Sequence, residues 1–200
     1  MKTWLILGAG GHGRSLASVI NFRGDKVGAI SDGSLTEGFV FFAGNRVKSF
    51  SSDATAIELA RASSWDICLG IGDNKAREAV GAQLVSDDSL QHLLAPLLAI
   101  TASVDLLANV AALAHVGEHA HVGPGASIGE GAILNTAAIV EHDAQVGKYT
   151  HVAPGGTVLG GSTIGDRSFG GSGARILPAL TVVDDVTVGA GATFCSTGTR

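Results

Sequence analysis

The chain has 200 residues, of which 16% are charged, a formal net charge of −5 and a sequence pI near 5.7, with a mean hydropathy of +0.34. The acidic balance and the lack of a basic run argue against a nucleic-acid binder that depends on phosphate contacts, and no apolar stretch approaches the ~20 residues needed to cross a bilayer. The length allows one or two domains with a sizeable core, and Cys68 and Cys195 fit no metal or CxxC spacing, as expected of two thiols in a reducing cytoplasm.

Residues 1 to about 95 read as a small parallel α/β domain. A short apolar run, Thr3–Leu7, leads straight into Gly8-Ala9-Gly10-Gly11-His12-Gly13 and is too short for a signal-peptide core. A helix is predicted from Arg14 to Phe22, then a strand at Lys26–Ile30 ending at Ser31-Asp32-Gly33. Phe39–Phe42 reads as a further strand, and Ser52-Asp53 as the cap of a helix running to Ala62. Asp66–Gly70 reads as a buried strand, followed by Gly72-Asp73-Asn74 and a helix from Lys75 to about Leu84. Glycines after a strand let backbone N–H groups approach a phosphate at a helix N-terminus. The spacing Gly8, Gly10, Gly13 matches the dinucleotide fingerprint only weakly, and a tight turn without a ligand is the alternative. Asp32, about twenty residues on, falls where a ribose or base contact would, or is simply a turn aspartate. The domain is small for a dinucleotide, so a mononucleotide or nucleotide sugar fits it better. Pro96, within the apolar Leu93–Ile100 segment, marks the junction.

From Val104 onward a six-residue period takes over. Register positions Val104, Val110, Val116 and so on to Phe194 are large and apolar in fifteen of sixteen hexads, with Gly170 the exception. Four places after each sits a small residue in fourteen of sixteen, from Ala108 to Gly198, and glycine directly follows the register residue in seven. Leu98 with Ala102 fits the same phase, so the first coil is expected to begin there. A helix cannot hold a strict period of six and a lone strand would show two. The pattern predicts a parallel β-helix with three flat faces per coil, in which residues eighteen apart stack at about 4.8 Å. The aliphatic residue points inward, and glycine is expected to supply the backbone freedom of the turns. The low charge suits outer faces that pack against sister subunits.

Five of the seven histidines lie in this region: His115, His119, His121, His142 and His151. His142, in Glu141-His142-Asp143, falls two places past a register residue and therefore outside the interior. A flanking carboxylate can orient an imidazole and raise its basicity, which a general base needs; a solvated surface histidine is the alternative. Gly160, eighteen residues on, is expected one coil above with a bare N–H suited to an oxyanion. His151 is expected at the next corner but one, where it can approach a site shared by two subunits. His119 and His121 read as surface residues. His115 and His151 are thirty-six apart, the spacing of the zinc site in gamma-type carbonic anhydrases, but the position of the third ligand is Gly156, so no metal is expected.

The Gly8–Gly13 motif, Ile71-Gly72-Asp73-Asn74, and the stretch from Asn135-Thr136 through Glu141-His142-Asp143 to His151-Val152-Ala153-Pro154-Gly155 together resemble the bacterial nucleotide-sugar acetyltransferases of bacillosamine, perosamine and sialic-acid pathways. The resemblance spans nearly the whole chain. It implies a Rossmann-like α/β nucleotide-sugar domain at 1–95, a left-handed parallel β-helix at 96–200, and a homotrimer with acetyl-CoA between neighbouring helices. It also implies N-acetylation of a nucleotide-linked amino sugar, with sugar O-acetylation or a non-catalytic binding scaffold as alternatives. His142 would be the general base and Asp143 its carboxylate neighbour. Asn135 would lie beside the base, His151 would contact acetyl-CoA or assist from the adjacent subunit, and Gly160 would meet the thioester carbonyl. Gly10, Gly11, His12, Gly13, Asp32, Gly72 and Asn74 would hold the nucleotide sugar. Chains of the family usually continue with a Gly-x-Pro-Ala type segment that helps close the CoA groove, whereas this chain stops at Phe194-Cys195-Ser196-Thr197-Gly198-Thr199-Arg200.

Overall fold

The computed structural model describes residues 1–195; the tail at 196–200, with the last small hexad residue Gly198, lies outside the described residues. The chain divides into two compact units, Met1–Ala95 and Pro96–Arg200. Among the described residues no helix is long and apolar enough to cross a membrane.

In the first unit, strands β1 (Thr3–Leu7), β2 (Lys26–Ser31), β3 (Gly38–Phe42), β4 (Asn45–Phe50) and β5 (Asp66–Leu69) form one sheet in the order β3-β4-β2-β1-β5. All neighbours pair in parallel except β3 with β4. Helices α1 (Gly11–Phe22), α2 (Asp53–Ser63) and α3 (Asn74–Val85) supply the crossovers that parallel pairing requires. Trp4, Leu5, Ile6 and Leu7 of β1 are all buried, which explains the unbroken apolar run.

Three local features differ from the sequence reading. Strand β4 was not expected; it alternates exposed Arg46 and Lys48 with buried Val47 and Ser49. It is joined to β3 by a tight turn in which Ala43 and Gly44 both have positive φ (44° and 84°). A 3₁₀ helix at Asp88–Leu93 closes the unit. Ser52 does occupy the N-cap of α2, but its side chain makes no capping bond.

The second unit is the left-handed β-helix. Among the described residues it is built of seventeen two-residue strands, from Leu97–Leu98 to Thr193–Phe194, stacked in three parallel sheets. Every strand pairs with the one eighteen residues away, as in His121–Val122 with Ile139–Val140. The first face carries His115, Ile133, His151 and Phe169; the second Ile139, Thr157 and Arg175; the third Ser127, Gln145 and Thr163. The second residue of each pair points inward. Val116, Val122, Ile128, Leu134, Val140 and their successors form one continuous core lined by Ala114, Ala120, Ala126 and Ala132. Burial of each such aliphatic side chain is worth roughly 1.5–3 kcal/mol before entropy.

The turn glycines act as expected only in part: Gly125, Gly131, Gly155, Gly161, Gly173 and Gly191 supply left-handed backbone, but other residues do so as well. The left-handed residue of each corner lies three places past the register position, from Leu113 to Gly191, at φ between 53° and 71°, and eight of these fourteen residues are not glycine. Left-handed backbone costs roughly 1–2 kcal/mol for a residue with a Cβ. A hydrogen bond to the coil below offsets it: Asp143 N–H donates to Pro124 O (2.9 Å) and Tyr149 N–H to Glu130 O (2.8 Å). The glycines directly after the register residue have negative φ and answer a different need. A Cβ at Gly123 would lie 2.8 Å from His142 N, and one at Gly147 2.5 Å from Asp166 N. All but Gly189 are small because the next coil passes against them.

Candidate active site

His142 stands on the corner between the second and third faces, with Asp143 on one side of its imidazole and Gly160 on another. Its Nδ1 lies 2.9 Å from Asp143 Oδ2, and both side chains are largely exposed, at 63% and 73%. Of the two flanking carboxylates, Asp143 alone is bonded to the ring among the described residues. The left-handed backbone of Asp143 turns its side chain back along the corner, and Gly125, one coil below, makes room: a Cβ there would sit 2.6 Å from Asp143 Oδ1. One coil above, a Cβ at Gly160 would sit 2.5 Å from His142 Nε2 and 2.7 Å from Cε1. The Nε2 edge of the ring therefore lies against a bare Cα. With the carboxylate on Nδ1, a neutral imidazole carries its proton there and presents an unprotonated Nε2 beside Gly160.

The same corner leaves its N–H groups open. On the corner between the third and first faces, carboxylates of the next coil cap the equivalent amides: Lys148 N–H donates to Asp166 Oδ1 (2.7 Å) and Asp166 N–H to Asp184 Oδ1 (2.9 Å). Around His142 the stacked positions are Pro124, Gly160 and Pro178, none of which carries an acceptor side chain. Among the described residues the Gly160 N–H has no hydrogen-bond partner. A base nitrogen and an open amide thus sit side by side, an arrangement able to deprotonate a nucleophile and receive an oxyanion.

His151 is elsewhere in the same chain. It lies within a strand on the first face, not at a corner as expected, because it is the outward residue of the pair His151–Val152. Asn135 Nδ2 is 3.1 Å from its Nε2, and Phe169 packs edge-on against the ring at 5.2 Å between centroids. Asn135 Oδ1 accepts the Thr136 N–H (2.8 Å), so the amide NH₂ donates and His151 Nε2 accepts. Within one chain, then, Asn135 is the partner of His151 and not of His142.

His115, two coils below His151, is buried, with Nδ1 3.2 Å from Leu97 O. Burial pushes its pKa down to about 4, against the weaker opposing influence of the Leu97 carbonyl and Glu118. The unfolded chain takes up this proton near the ordinary histidine value while the folded chain resists it. Stability is thus complete at neutral pH and falls as pH drops from about 6.5 towards 4, by on the order of 3 kcal/mol. Urea unfolding at pH 7.5 and 4.5 is expected to show a smaller pH difference in His115→Gln than in the parent; equal differences would remove His115 from the account.

In the first unit the glycines divide by role. A Cβ at Gly13 would lie 2.1 Å from Gly8 O, and one at Gly70 2.4 Å from the same oxygen. Gly8 itself has φ 107° and donates to Ser31 O (2.7 Å). Gly8, Gly13 and Gly70 let α1 and the ends of β1 and β5 touch backbone to backbone. This packing starts α1 at Gly11, three residues earlier than expected, so Gly11, His12 and Gly13 belong to the helix. Gly10 and Gly11 are exposed; a Cβ at Gly10 would meet nothing within 4 Å, and one at Gly11 only the Arg14 guanidinium at 3.9 Å. Of the four residues they alone offer open backbone at a helix start, suited to an anion. His12 stands beside Gly72, 4.0 Å from where a Cβ of that residue would be.

Asp32 is bound to the protein itself. Its Oδ2 accepts the Ala9 N–H (2.8 Å), and its Oδ1 the Ser34 N–H (2.9 Å) and hydroxyl (2.7 Å). These donors, Ala9 first, hold its carboxyl below the usual carboxylate range. Asp32 thereby fixes the glycine loop to the end of β2. Gly125, which makes room for Asp143, escaped the sequence reading and would have been found by subtracting eighteen from Asp143.

Known proteins resemble this chain in both its units. The PglD N-terminal domain family matches residues 4–84. The acetyltransferase domain of PglB from Neisseria gonorrhoeae FA1090, in complex with acetyl coenzyme A, is 29% identical with a TM-score of 0.84, over 95% of this chain and 89% of that one. PerB from Caulobacter crescentus, in complex with CoA and GDP-perosamine, is 28% identical with a TM-score of 0.83, over 98% and 89%. The chain is similar to the bacterial hexapeptide-repeat nucleotide-sugar acetyltransferases, in its first unit by that family and over nearly its whole length by structure. It is an acyltransferase. A histidine-to-asparagine mutant of perosamine N-acetyltransferase from Caulobacter crescentus, bound to CoA and GDP-perosamine, is 27% identical to this chain, with a TM-score of 0.83 over 98% and 89%. No curated protein matches the sequence.

Proposed function

We propose that this acyltransferase moves the acetyl group of acetyl-CoA to the amino group of a nucleotide-linked amino sugar. The carrying observation is the His142–Asp143 pair, with Nε2 laid against Gly160 and an open Gly160 N–H beside it. The acetyl-CoA bound to the PglB domain, and the CoA and GDP-perosamine bound to PerB, support both substrate classes.

In this reading the neutral amine attacks the thioester carbonyl carbon and passes a proton to His142 Nε2. The Gly160 N–H receives the oxyanion, and Asp143 steadies the imidazolium that forms. Collapse re-forms the carbonyl, breaks the C–S bond and expels CoA thiolate, which takes up a proton. No covalent enzyme intermediate is needed, because both substrates are held side by side. Gly10 and Gly11, with Gly13 and Asp32 shaping their loop and His12, Gly72 and Asn74 beside it, hold the nucleotide. Asn135 and His151 contact acetyl-CoA from a neighbouring subunit of a homotrimer, and the reaction takes place in the cytoplasm.

The test is a panel of UDP-, GDP- and CMP-amino sugars with acetyl-CoA. Release of CoA thiol is expected to require one amino sugar, whose product gains an acetyl group stable to mild base. A base-labile product would make the enzyme an O-acetyltransferase. Binding without turnover across the panel would leave a scaffold. Light scattering is expected to give about three times the 20.1 kDa chain mass, and a monomer would remove the shared site.

A further inference from the structure

Glu141 is the second carboxylate beside His142, half-buried on the same corner. Its position, directly after a register residue, has a set direction in this fold. At Gly123, Gly129, Gly147, Gly165 and Gly171, which hold the same position in other hexads, a Cβ would lie 2.5–2.8 Å from the amide nitrogen nineteen residues on. Glutamate has that Cβ, and the amide nineteen residues past it is that of Gly160. A side chain in this place shields the amide above it from water, and a shielded donor without a partner is costly. Three other corners remove the donor: Pro124 stands nineteen residues past Asp105, Pro154 past Asn135 and Pro178 past Leu159, and proline has no N–H. Above Glu141 the donor is kept.

The carboxylate is kept open as well. Asp105 accepts the Leu107 N–H (2.8 Å), Asp166 the Lys148 N–H (2.7 Å) and Asp184 the Asp166 N–H (2.9 Å), while Asp143 holds the His142 ring. Among the described residues the Glu141 side chain makes no hydrogen bond or ion pair. An open carboxylate, an open amide and His142 Nε2 thus border one patch of surface. A carboxylate repels an oxyanion and attracts a cation, so its place in the reaction is with the nucleophile. An acceptor amine is largely a cation at neutral pH, whereas a sugar hydroxyl is not. We propose that Glu141 binds the ammonium group of the acceptor and selects an amino sugar over its hydroxyl counterpart. One proton of the ammonium leaves to solvent before attack, the neutral amine keeps a hydrogen bond to the carboxylate, and the proton released on attack passes to His142. The inference rests on the reading of this corner as the acetyl-transfer site.

The experiment uses the full chain, the nucleotide amino sugar that it acetylates, and the same nucleotide sugar with a hydroxyl in place of the amine. Calorimetry without acetyl-CoA is expected to show the parent binding the amine about tenfold or more tightly than the hydroxyl compound, the scale of one charge-assisted hydrogen bond. Glu141→Gln keeps the size of the side chain and removes its charge. It is expected to bind the two compounds alike, to raise KM for the amino sugar about tenfold, and to leave kcat and KM for acetyl-CoA close to the parent's. A merely structural role would weaken both compounds together. Parent affinities that do not differ, equal losses for the two compounds, or a parental KM in Glu141→Gln would overturn the proposal and leave the acetyl-transfer reading standing. If no nucleotide amino sugar is acetylated, that reading fails and the inference falls with it.

Discussion

His142→Ala is expected to lower kcat by about 10²–10⁴-fold, the range in which a positioned general base contributes. The fold should be unaffected, because the ring is 63% exposed and makes no part of the aliphatic core. Asp143→Asn should cost less than this, since it only orients and polarises the imidazole. It is also the fair probe of the carboxylate: position 143 has φ 59°, which asparagine tolerates and alanine does not. Near-parental kcat for His142→Ala at saturating substrates would pass the proton to another group, His151 or solvent.

Gly160→Ala is expected to reduce kcat by a comparable factor, about 10²-fold or more, through a different cause. The added Cβ would come within 2.5 Å of Nε2, closer than real Cβ atoms approach, so the ring must leave its place. The move is cheap for the fold, since the imidazole swings into solvent and Gly160 does not have the positive φ that alanine would resist. Thermal stability should therefore stay within about 0.5 kcal/mol of the parent. Because the damage is to His142, the double variant should be no slower than His142→Ala alone. A Gly160→Ala enzyme with full activity would show that the ring need not lie where it does, and would sink the assignment of Nε2 as the base.

The solenoid was legible because its physics is local and repeated. An inward aliphatic every six residues leaves the same mark in every hexad, so Val104 to Phe194 announced the coil, its phase and its start at Leu98 without any long-range information. His142 and Gly160 could be paired in advance for the same reason: residues eighteen apart must stack. Strand β4 was harder, because its alternation of Val47 and Ser49 with charged residues is short and its turn, Ala43-Gly44, lacks the usual Asn-Gly signal.

What only the tertiary structure decided is where backbone meets backbone and where side chains point. Gly123, Gly129, Gly147, Gly165 and Gly171, directly after register residues, are small because another coil passes within 3 Å of their missing Cβ, while the left-handed corners are filled as often by residues such as Asp143, Tyr149 or Arg167 as by glycine. Gly13 belongs to helix packing, and Gly10 and Gly11 alone remain open. Asn135 went to His151, and Asp32 to Ala9 and Ser34. By itself the sequence determined the repeat, and with it the fold and the corner on which a base could stand. Which carboxylate holds that base, and which is left unbonded beside it, depended on contacts between residues with no periodic relation, and such contacts exist only once the chain has folded.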